Sequence, residues 1–286
     1  MKIKQLIDKA KHELKEAGIE TYNLDARLLL CEVLNKDKIY IMVNIDEEVP
    51  AEKEEQFLSL VNIRKKKKPM QYILGHVEFM GIDFAVKEGV LIPRGDTEVL
   101  VEEALKNIGE EERIKVLDLC CGSGAIGLSM ASYRKNINVD LVDLYDVPEE
   151  VTKNNIIRLN LENRARFIKS DLLKEIKNND YKYDMIVSNP PYIKEEVIPT
   201  LMDDVKDYEP HTALSGGNDG LDFYKRIISD SESVLTGKKI LAFEIGYDQG
   251  EVVSTLMAEH GYVNIRTIKD LAGLDRTVIG NLPGWY

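Results

Sequence analysis

The stretch Ser188-Asn189-Pro190-Pro191-Tyr192 combines residue types that can bind a planar amino group. It follows the apolar run 183–187, so it lies at the carboxyl end of a predicted buried strand, where open α/β sheets bind ligands. The side-chain carbonyl of Asn189 and the backbone carbonyl of Pro190 can accept both hydrogens of an –NH2 group, and Tyr192 adds an aromatic face. Two such acceptors favour a more pyramidal, more reactive nitrogen. The stretch therefore predicts a site that alkylates a nitrogen, although two prolines can also simply end a strand.

A second candidate site is the turn at 116–127, which reads Val-Leu-Asp-Leu-Cys-Cys-Gly-Ser-Gly-Ala-Ile-Gly. It has the form of a strand, a turn of small residues and the start of a helix. Glycines there let the backbone approach a ligand, and the N–H groups of a helix start point toward it. The pattern contains Gly-x-Gly-x-x-Gly, and Asp143 follows about 20 residues later at a strand end, where it can bind ribose hydroxyls. A dinucleotide site is therefore one interpretation.

Two features favour S-adenosyl-L-methionine over a dinucleotide as the cofactor. Asp118 opens the turn and can help bind the positively charged methionine end of that molecule. The stretch 188–192 offers a site for an amine acceptor and nothing for hydride transfer. Asp171, which follows the predicted strand 166–169, can contact the exocyclic amine of the adenine, or it can cap the following helix.

The elements that must position these residues alternate between strand-like and helix-like segments from about residue 92 onward. This alternation predicts an α/β fold in which helices cover both faces of a mostly parallel sheet. The predicted strands are 115–120, 139–144, 166–169, 185–188, 239–245, 264–268 and 277–282, the last two as an antiparallel edge pair. Helical periodicity over residues 3–63 predicts a small bundle, with a second helix opening at Asn23 or Asp25. Two β-like stretches separated by Gly81 predict a hairpin between bundle and sheet.

The net charge, the cysteines and the apolar runs of the sequence limit which binding partners and which cellular compartment we expect. A net charge of −12 over 286 residues repels a polyphosphate backbone, so direct nucleic-acid binding is not expected. The basic run 64–68 is either a solvated helix end or a contact to RNA or an acidic partner.

Three cysteines, two of them adjacent, have neither disulfide nor metal-ligand spacing, and no metal is expected. No apolar run approaches the roughly 20 residues that span a bilayer, and the start does not resemble a signal peptide. We therefore expect a cytoplasmic protein without membrane contact.

Nearly the whole chain resembles the HemK-type protein-(glutamine-N5) methyltransferases, which modify peptide chain release factors. The resemblance rests on motifs spread along the sequence rather than on one. They are Gln71-Tyr72-Ile73-Leu74-Gly75, Leu-Ile-Pro-Arg-Gly-Asp-Thr-Glu at 91–98, the turn at 118–124, Asn-Pro-Pro-Tyr at 189–192, Tyr208-Glu209-Pro210, Leu214 with Gly216-Gly217, Asp219-Gly220-Leu221, Glu244-Ile245-Gly246-Tyr247, Asp270-Leu271-Ala272-Gly273 and Asp275-Arg276.

The resemblance implies a helical substrate-recognition domain at 1–69, a β-hairpin linker at 70–92, and a seven-stranded Rossmann-like class I methyltransferase domain at 93–286. It implies that one set of residues lines the cofactor and an overlapping set holds the substrate glutamine. The cofactor set is Cys120, Cys121, Gly122, Ser123, Gly124, Asp143, Leu172 and Asn189, and the substrate set is Asn189, Pro190, Pro191 and Tyr192.

The implied reaction is methyl transfer from S-adenosyl-L-methionine to the side-chain nitrogen of the glutamine in a Gly-Gly-Gln loop of release factors. Three alternatives stay open at this point. One is methylation of a glutamine on a ribosomal protein. Another is methylation of adenine-N6 in a nucleic acid, where the flipped base would place its amino group against the same two carbonyl acceptors. The third is a non-catalytic adenosyl-binding partner of a translation factor.

Overall fold

Contacts along the chain separate it into two units in the computed structural model, which describes residues 1–284. The first unit comprises residues 1–76 with the short segment 202–208, and the second comprises 77–201 with the chain from residue 209 onward. The second unit begins at Val77, inside the predicted linker 70–92, and the segment 202–208 of the predicted domain 93–286 groups with the first unit. Trp285 and Tyr286, at the end of the predicted domain 93–286, lie outside the described residues. The roles of the predicted domains stay predictions.

The described residues form helices and strands with the following bounds. The helices are α1 (Ile3–Glu16), α2 (Tyr22–Leu34), α3 (Lys38–Val43), α4 (Ala51–Arg64), α5 (Met70–Leu74), α6 (Glu98–Lys106), α7 (Ala125–Tyr133), α8 (Asp146–Arg158), α9 (Lys174–Asn178), α10 (Asp203–Lys206), α11 (His211–Leu214), α12 (Asp222–Ser231) and α13 (Gly250–Glu259). The strands are β1 (His76–Phe79), β2 (Ile82–Ala85), β3 (Ile114–Leu119), β4 (Ile137–Asp143), β5 (Ala165–Lys169), β6 (Tyr183–Ser188), β7 (Leu235–Glu244), β8 (Val263–Lys269) and β9 (Asp275–Asn281). Across this part of the chain, no helix has both the length and the apolar character needed to cross a bilayer.

The first unit is a helical bundle, as predicted. Leu6, Ala10 and Leu14 recur every four residues on α1, and all three are fully buried. They pack in one core with buried side chains of α2 and α4, among them Phe57 and Val61. The apolar stripe of each helix is therefore covered by the others.

The start of α2 corrects one expectation. The helix begins at Tyr22 rather than at Asn23 or Asp25, and Asp25 lies in its first turn with its side chain turned inward. There it accepts a hydrogen bond of 2.8 Å from Nε of Arg64 on α4, and a second of 2.8 Å from the hydroxyl of Thr21. A buried carboxylate needs such partners, so Asp25 joins two helices instead of capping one.

The second unit contains a seven-stranded sheet with the order β5-β4-β3-β6-β7-β9-β8. The first five strands in this order run parallel, and β9 pairs antiparallel with both β7 and β8. The predicted antiparallel pair at the edge is thereby confirmed. Alternate residues of the central strands enter different cores: on β3, Val116 packs in a core with α6 and α7, and the next residue, Leu117, in a core with α12 and α13. Burial on both faces explains why these strands read as continuous apolar runs.

The hairpin formed by β1 and β2 has a two-residue turn. Met80 and Gly81 both have positive φ, 52° and 67°, which is the conformation that two-residue hairpins require. The rings of Phe79 and Phe84 meet edge to face with centroids 6.2 Å apart, and both side chains are fully buried. The two rings anchor the hairpin in the same core as α6 and α7.

Candidate active site

A pocket with a volume of about 260 Å³ lies at the carboxyl ends of β3, β4, β5 and β6. From β3 the chain adds β4 and β5 on one side of the sheet, and it then adds β6 and β7 on the other side. The order of strands therefore reverses between β3 and β6. Open α/β sheets bind ligands at such a reversal. The predicted site residues on the pocket wall are Cys120, Gly122, Asp143, Asp171, Leu172, Asn189 and Pro191.

The turn after β3 brings bare backbone to the pocket. Cys120 and Gly122 both adopt left-handed backbone conformations, with φ of 58° and 56°. Apart from its two chain neighbours, no residue of the described part of the chain has an atom within 4 Å of a Cβ placed on Gly122, so this glycine faces open space. The N–H of Cys121 donates to the carbonyl of Val142 at 3.0 Å and ties the turn to the end of β4. The backbone of the turn is therefore both exposed to a ligand and anchored.

Two buried polar residues of α8 support this turn from behind. The hydroxyl of Thr152 donates to the carbonyl of Gly122 at 2.9 Å. Nδ2 of Asn155 donates to the carbonyls of Ser123 at 2.9 Å and Ala85 at 3.0 Å, while its Oδ1 accepts from the N–H of Ala85 at 2.8 Å. Asn155 thus links the turn to the hairpin. Neither residue was predicted from sequence, and the available signal was two polar residues three apart on the buried face of a helix.

Asp143 ends β4 with its carboxylate held by backbone N–H groups. Oδ2 accepts from Gly122 at 3.0 Å, and Oδ1 accepts from Leu144 at 2.8 Å and Tyr145 at 3.3 Å. Burial raises the pKa of Asp143, and these hydrogen bonds act in the opposite direction. An ionised carboxyl group has about four acceptor positions. One position therefore remains for a ligand hydroxyl.

Four predicted cofactor residues lie behind the pocket wall rather than on it. Asp118 is fully buried, and its Oδ2 accepts from the N–H of Gly127 at 2.9 Å. Its Oδ1 has no hydrogen-bond partner among the described residues, and burial raises the pKa of Asp118 to about 7. Cys121, Ser123 and Gly124 are buried as well. Direct contact of these four residues with a cofactor stays a prediction.

The adenine side of the predicted site contains an ion pair. Oδ1 of Asp171 lies 2.6 Å from Nη2 of Arg226 on α12, and both side chains are about half exposed on the pocket wall. Leu172, beside them, has a positive φ of 50°. Because Arg226 is 55 residues from Asp171 in sequence, no local pattern could have revealed the pair.

The acceptor side of the site lies after β6. Asn189 is half-buried, and its Nδ2 donates a long hydrogen bond of 3.5 Å to the hydroxyl oxygen of Thr97. Pro190 is buried, and the phenol of Tyr192 donates to Oε1 of Glu244 at 3.1 Å. The structure therefore places Asn189 at the pocket, while the Tyr192 hydroxyl is occupied by the carboxyl group at the end of β7.

The loop at 214–221 packs against the backbone of Pro191 and Tyr192. A Cβ on Gly216 would lie 2.7 Å from Cα of Tyr192 and 2.8 Å from the carbonyl oxygen of Pro191. A Cβ on Gly220 would lie 2.4 Å from the carbonyl oxygen of Tyr192. That oxygen accepts from Nε2 of Gln249 at 3.1 Å. Only glycine allows so close an approach, which gives these two motif glycines a physical reason.

Comparison with solved structures shows the same fold. A structure described as "Crystal structure of hMettl16 catalytic domain in complex with MAT2A 3'UTR hairpin 6" matches with a TM-score of 0.57 and 16% identity, covering 82% of this chain and 83% of that one. The predicted class I methyltransferase fold, preceded by helices and a small hairpin, is thereby confirmed.

Comparison with protein families is more specific. Residues 5–75 match the "PrmC N-terminal domain" and residues 95–204 match the "Methyltransferase small domain". A "Release factor glutamine methyltransferase" of Clostridium botulinum (strain Hall) is 48% identical over 97% of this chain and 98% of its own length. The protein of the same name from Clostridium acetobutylicum is also 48% identical, with 98% of each chain covered. The chain belongs to the family of release factor glutamine methyltransferases, which use S-adenosyl-L-methionine.

Proposed function

We propose that this protein transfers a methyl group from S-adenosyl-L-methionine to N5 of the glutamine in the Gly-Gly-Gln loop of peptide chain release factors. The observation that carries the proposal is the position of Asn189, which lines the pocket while its Nδ2 faces Thr97. This orientation leaves Oδ1 of Asn189 to accept a hydrogen bond from a substrate amide. The names of relatives that match almost the whole chain support the same acceptor.

The pocket residues suit S-adenosyl-L-methionine, which when bound supplies a methyl group on a positively charged sulfur. Gly122 has open space for a close approach, and Asp143 keeps an acceptor position for a ribose hydroxyl. Leu172 and Phe223 give the pocket apolar walls for an adenine ring. Among residues 1–284 the buried Oδ1 of Asp118 has no hydrogen-bond partner, which favours a cationic group nearby. Together these features support the predicted cofactor contacts.

Asn189 and Pro190 orient the acceptor for an in-line transfer. Their two carbonyls accept the two hydrogens of the glutamine –NH2 group and point the nitrogen lone pair at the methyl carbon. As the C–N bond forms and the C–S bond breaks, positive charge builds on the nitrogen, so both hydrogen bonds strengthen in the transition state. Orientation supplies most of the acceleration. The methylated nitrogen is then acidic and loses its extra proton to water, and we assign no general base.

We assign recognition of the body of the release factor to the helical unit, and we expect no direct contact with nucleic acid. Within that unit the basic run is partly neutralised by acidic side chains. Lys65 Nζ lies 3.0 Å from Glu13 Oε2, and Lys67 forms an ion pair with Asp203. Lysines paired in this way are less available to phosphates. A release factor substrate also agrees with a cytoplasmic location, which stays a prediction.

The test is transfer of labelled methyl from S-adenosyl-L-methionine to purified release factors, with mass spectrometry to locate the mark. A matched substrate in which the Gly-Gly-Gln glutamine is replaced serves as control. Methylation that is lost with this glutamine would support both reaction and acceptor. No transfer by folded, cofactor-loaded enzyme would refute the proposal, and ribosomal proteins and adenine-containing nucleic acids would be assayed next.

A further inference from the structure

Two segments of the pocket wall do not directly follow a strand of the large sheet. One lies at 89–91, and the other lies at 210–213. The first segment packs against α8, since a Cβ on Gly89 would lie 2.8 Å from Cγ1 of Val147. The sheet by itself therefore does not fix the position of these two wall segments.

The segment 210–213 is held at the acceptor side of the site. The N–H of Ile193, which directly follows the acceptor stretch, donates to the carbonyl of Leu214 at 2.9 Å. The carbonyl of Ile193 in turn accepts from the N–H of Gly216, also at 2.9 Å. Because the segment 89–91 lies against α8 instead, the two wall segments are anchored on different parts of the site.

An ion pair joins the two wall segments. Nη2 of Arg94 pairs with Oε1 of Glu209. Arg94 follows the segment 89–91 by three residues, and Glu209 directly precedes Pro210. The other terminal nitrogen of the guanidinium, Nη1, donates to the carbonyl of Ile92 at 2.9 Å. One guanidinium group thus holds its own segment and the distant segment at the same time.

The burial of one partner makes this ion pair costly to break. The side chain of Glu209 is 2% exposed, whereas that of Arg94 is 40% exposed. A buried carboxylate needs charged or hydrogen-bonded partners, so loss of the guanidinium favours movement of Glu209 toward water. Such a movement would carry Pro210 and the wall segment that it begins away from the pocket. Solvent around Arg94 screens part of the attraction, so the expected effect is moderate.

We propose that Arg94 and Glu209 form a latch that holds the wall segments 89–91 and 210–213 around S-adenosyl-L-methionine, with Arg94 as a positioning residue for the cofactor. Among residues 1–284, those on the pocket wall include neither member of the latch. The latch therefore acts through the segments that it joins. The inference concerns the cofactor and goes beyond the proposed choice of methyl acceptor.

A latch of this kind should change the affinity for the cofactor rather than the rate of methyl transfer. The wall segments contact the cofactor alike before and during the reaction, and loss of such uniform binding raises KM without lowering kcat. The product, S-adenosyl-L-homocysteine, differs from S-adenosyl-L-methionine only in the methyl group and charge at sulfur. Loss of the latch should therefore weaken the binding of both molecules by the same factor. A direct effect of the Glu209 charge on the sulfonium would change the affinity of the charged molecule alone.

The test is calorimetry of both molecules with full-length Arg94→Gln and Arg94→Lys, without release factor. Arg94→Gln removes the charge, and we expect its Kd for each molecule to rise about tenfold, the scale of one partly screened hydrogen bond between charged groups. Arg94→Lys keeps the charge and should recover most of the lost affinity. In methyl-transfer assays with Arg94→Gln, KM for S-adenosyl-L-methionine should rise with Kd, while kcat stays within about threefold.

Arg266→Gln is the matched control, because Arg266 also pairs with a buried carboxylate but lies outside the described pocket wall. Its Nη1 lies 2.8 Å from Oε1 of Glu103, and the two side chains are 54% and 6% exposed. This variant should keep both Kd values of the unmodified enzyme. Thermal unfolding of all variants measures any loss of stability, which a merely structural ion pair would produce without a change in cofactor affinity.

Four outcomes would each overturn the inference. They are an unchanged Kd in Arg94→Gln, an equal loss of affinity in Arg266→Gln, failure of Arg94→Lys to recover affinity, and a loss confined to S-adenosyl-L-methionine. None of them bears on the proposed methyl acceptor, because binding is measured without release factor. If the unmodified enzyme binds the cofactor and transfers no methyl to release factors, the proposed function fails while the latch stands.

Discussion

Replacing Asn189 by alanine should separate catalysis from stability. Within residues 1–284 the Asn189 side chain makes one hydrogen bond, and at 3.5 Å to Thr97 it is a weak one. Its loss should lower the free energy of unfolding by less than about 1 kcal/mol. The lost acceptor for the substrate amide, in contrast, is a hydrogen bond that strengthens in the transition state. Removal of one such group costs roughly 2.7–4 kcal/mol, which lowers kcat by about 10²–10³.

The assay is single-turnover methyl transfer to a release factor, with enzyme and cofactor in excess, beside urea unfolding of the same variant. Asn154→Ala is the matched control, because Asn154 is exposed on α8. The control should keep the rate of the unmodified enzyme. A rate for Asn189→Ala within about threefold of that enzyme, with folding intact, would refute the assignment of Asn189 as a hydrogen-bond acceptor in the transition state.

Three further changes test the support of the site and of the bundle. Because burial raises the pKa of Asp118 from 3.8 to about 7, the folded state holds a proton that the unfolded state releases, and stability falls as pH rises between these values. The stability of Asp118→Asn relative to the unmodified protein should therefore increase by on the order of 2 kcal/mol when the pH is raised from about 5 to about 8, as measured by urea unfolding. Gly216→Ala should cost about 1–3 kcal/mol in thermal unfolding and slow transfer, because its Cβ would lie 2.7 Å from Cα of Tyr192. Asp25→Asn should cost about 3–5 kcal/mol by circular dichroism, because it leaves the Arg64 charge buried without its partner.

Each of these changes has a matched control in the chain. Asp180→Asn alters an exposed carboxylate and should leave the pH dependence unchanged. Gly95→Ala adds a methyl group that, beyond its two chain neighbours, meets no atom of residues 1–284 within 4 Å, and it should be neutral in thermal unfolding. Asp46→Asn breaks an exposed ion pair and should cost less than about 1 kcal/mol. The corresponding explanation is wrong if a control behaves like its variant, or if Asp118→Asn shows the same stability difference at both pH values.

The strand interiors and the reaction class could be read from the sequence. All seven strands of the large sheet occur where they were predicted, and the central strands β3 and β6, which are buried on both faces, read as nearly continuous apolar runs. Strand ends were less accurate, and β7 begins at Leu235 instead of residue 239. Ends depend on pairing with a neighbouring strand, which no local pattern records. The short helix α3, Lys38–Val43, was missed, since six residues are too few to show a helical period.

The acceptor residues and the glycine turn were also readable from sequence, because their chemistry is carried by contiguous residues. The supporting contacts were not, since they join residues far apart in the chain. Thr97 is 92 residues from Asn189, and Glu244 is 52 residues from Tyr192. The sequence by itself determined which atoms can bind a methyl acceptor and on which kind of sheet they lie. Tertiary structure alone decided which way the Asn189 amide faces and which predicted residues reach the pocket, because hydrogen-bond orientation and burial depend on neighbours that only folding brings together.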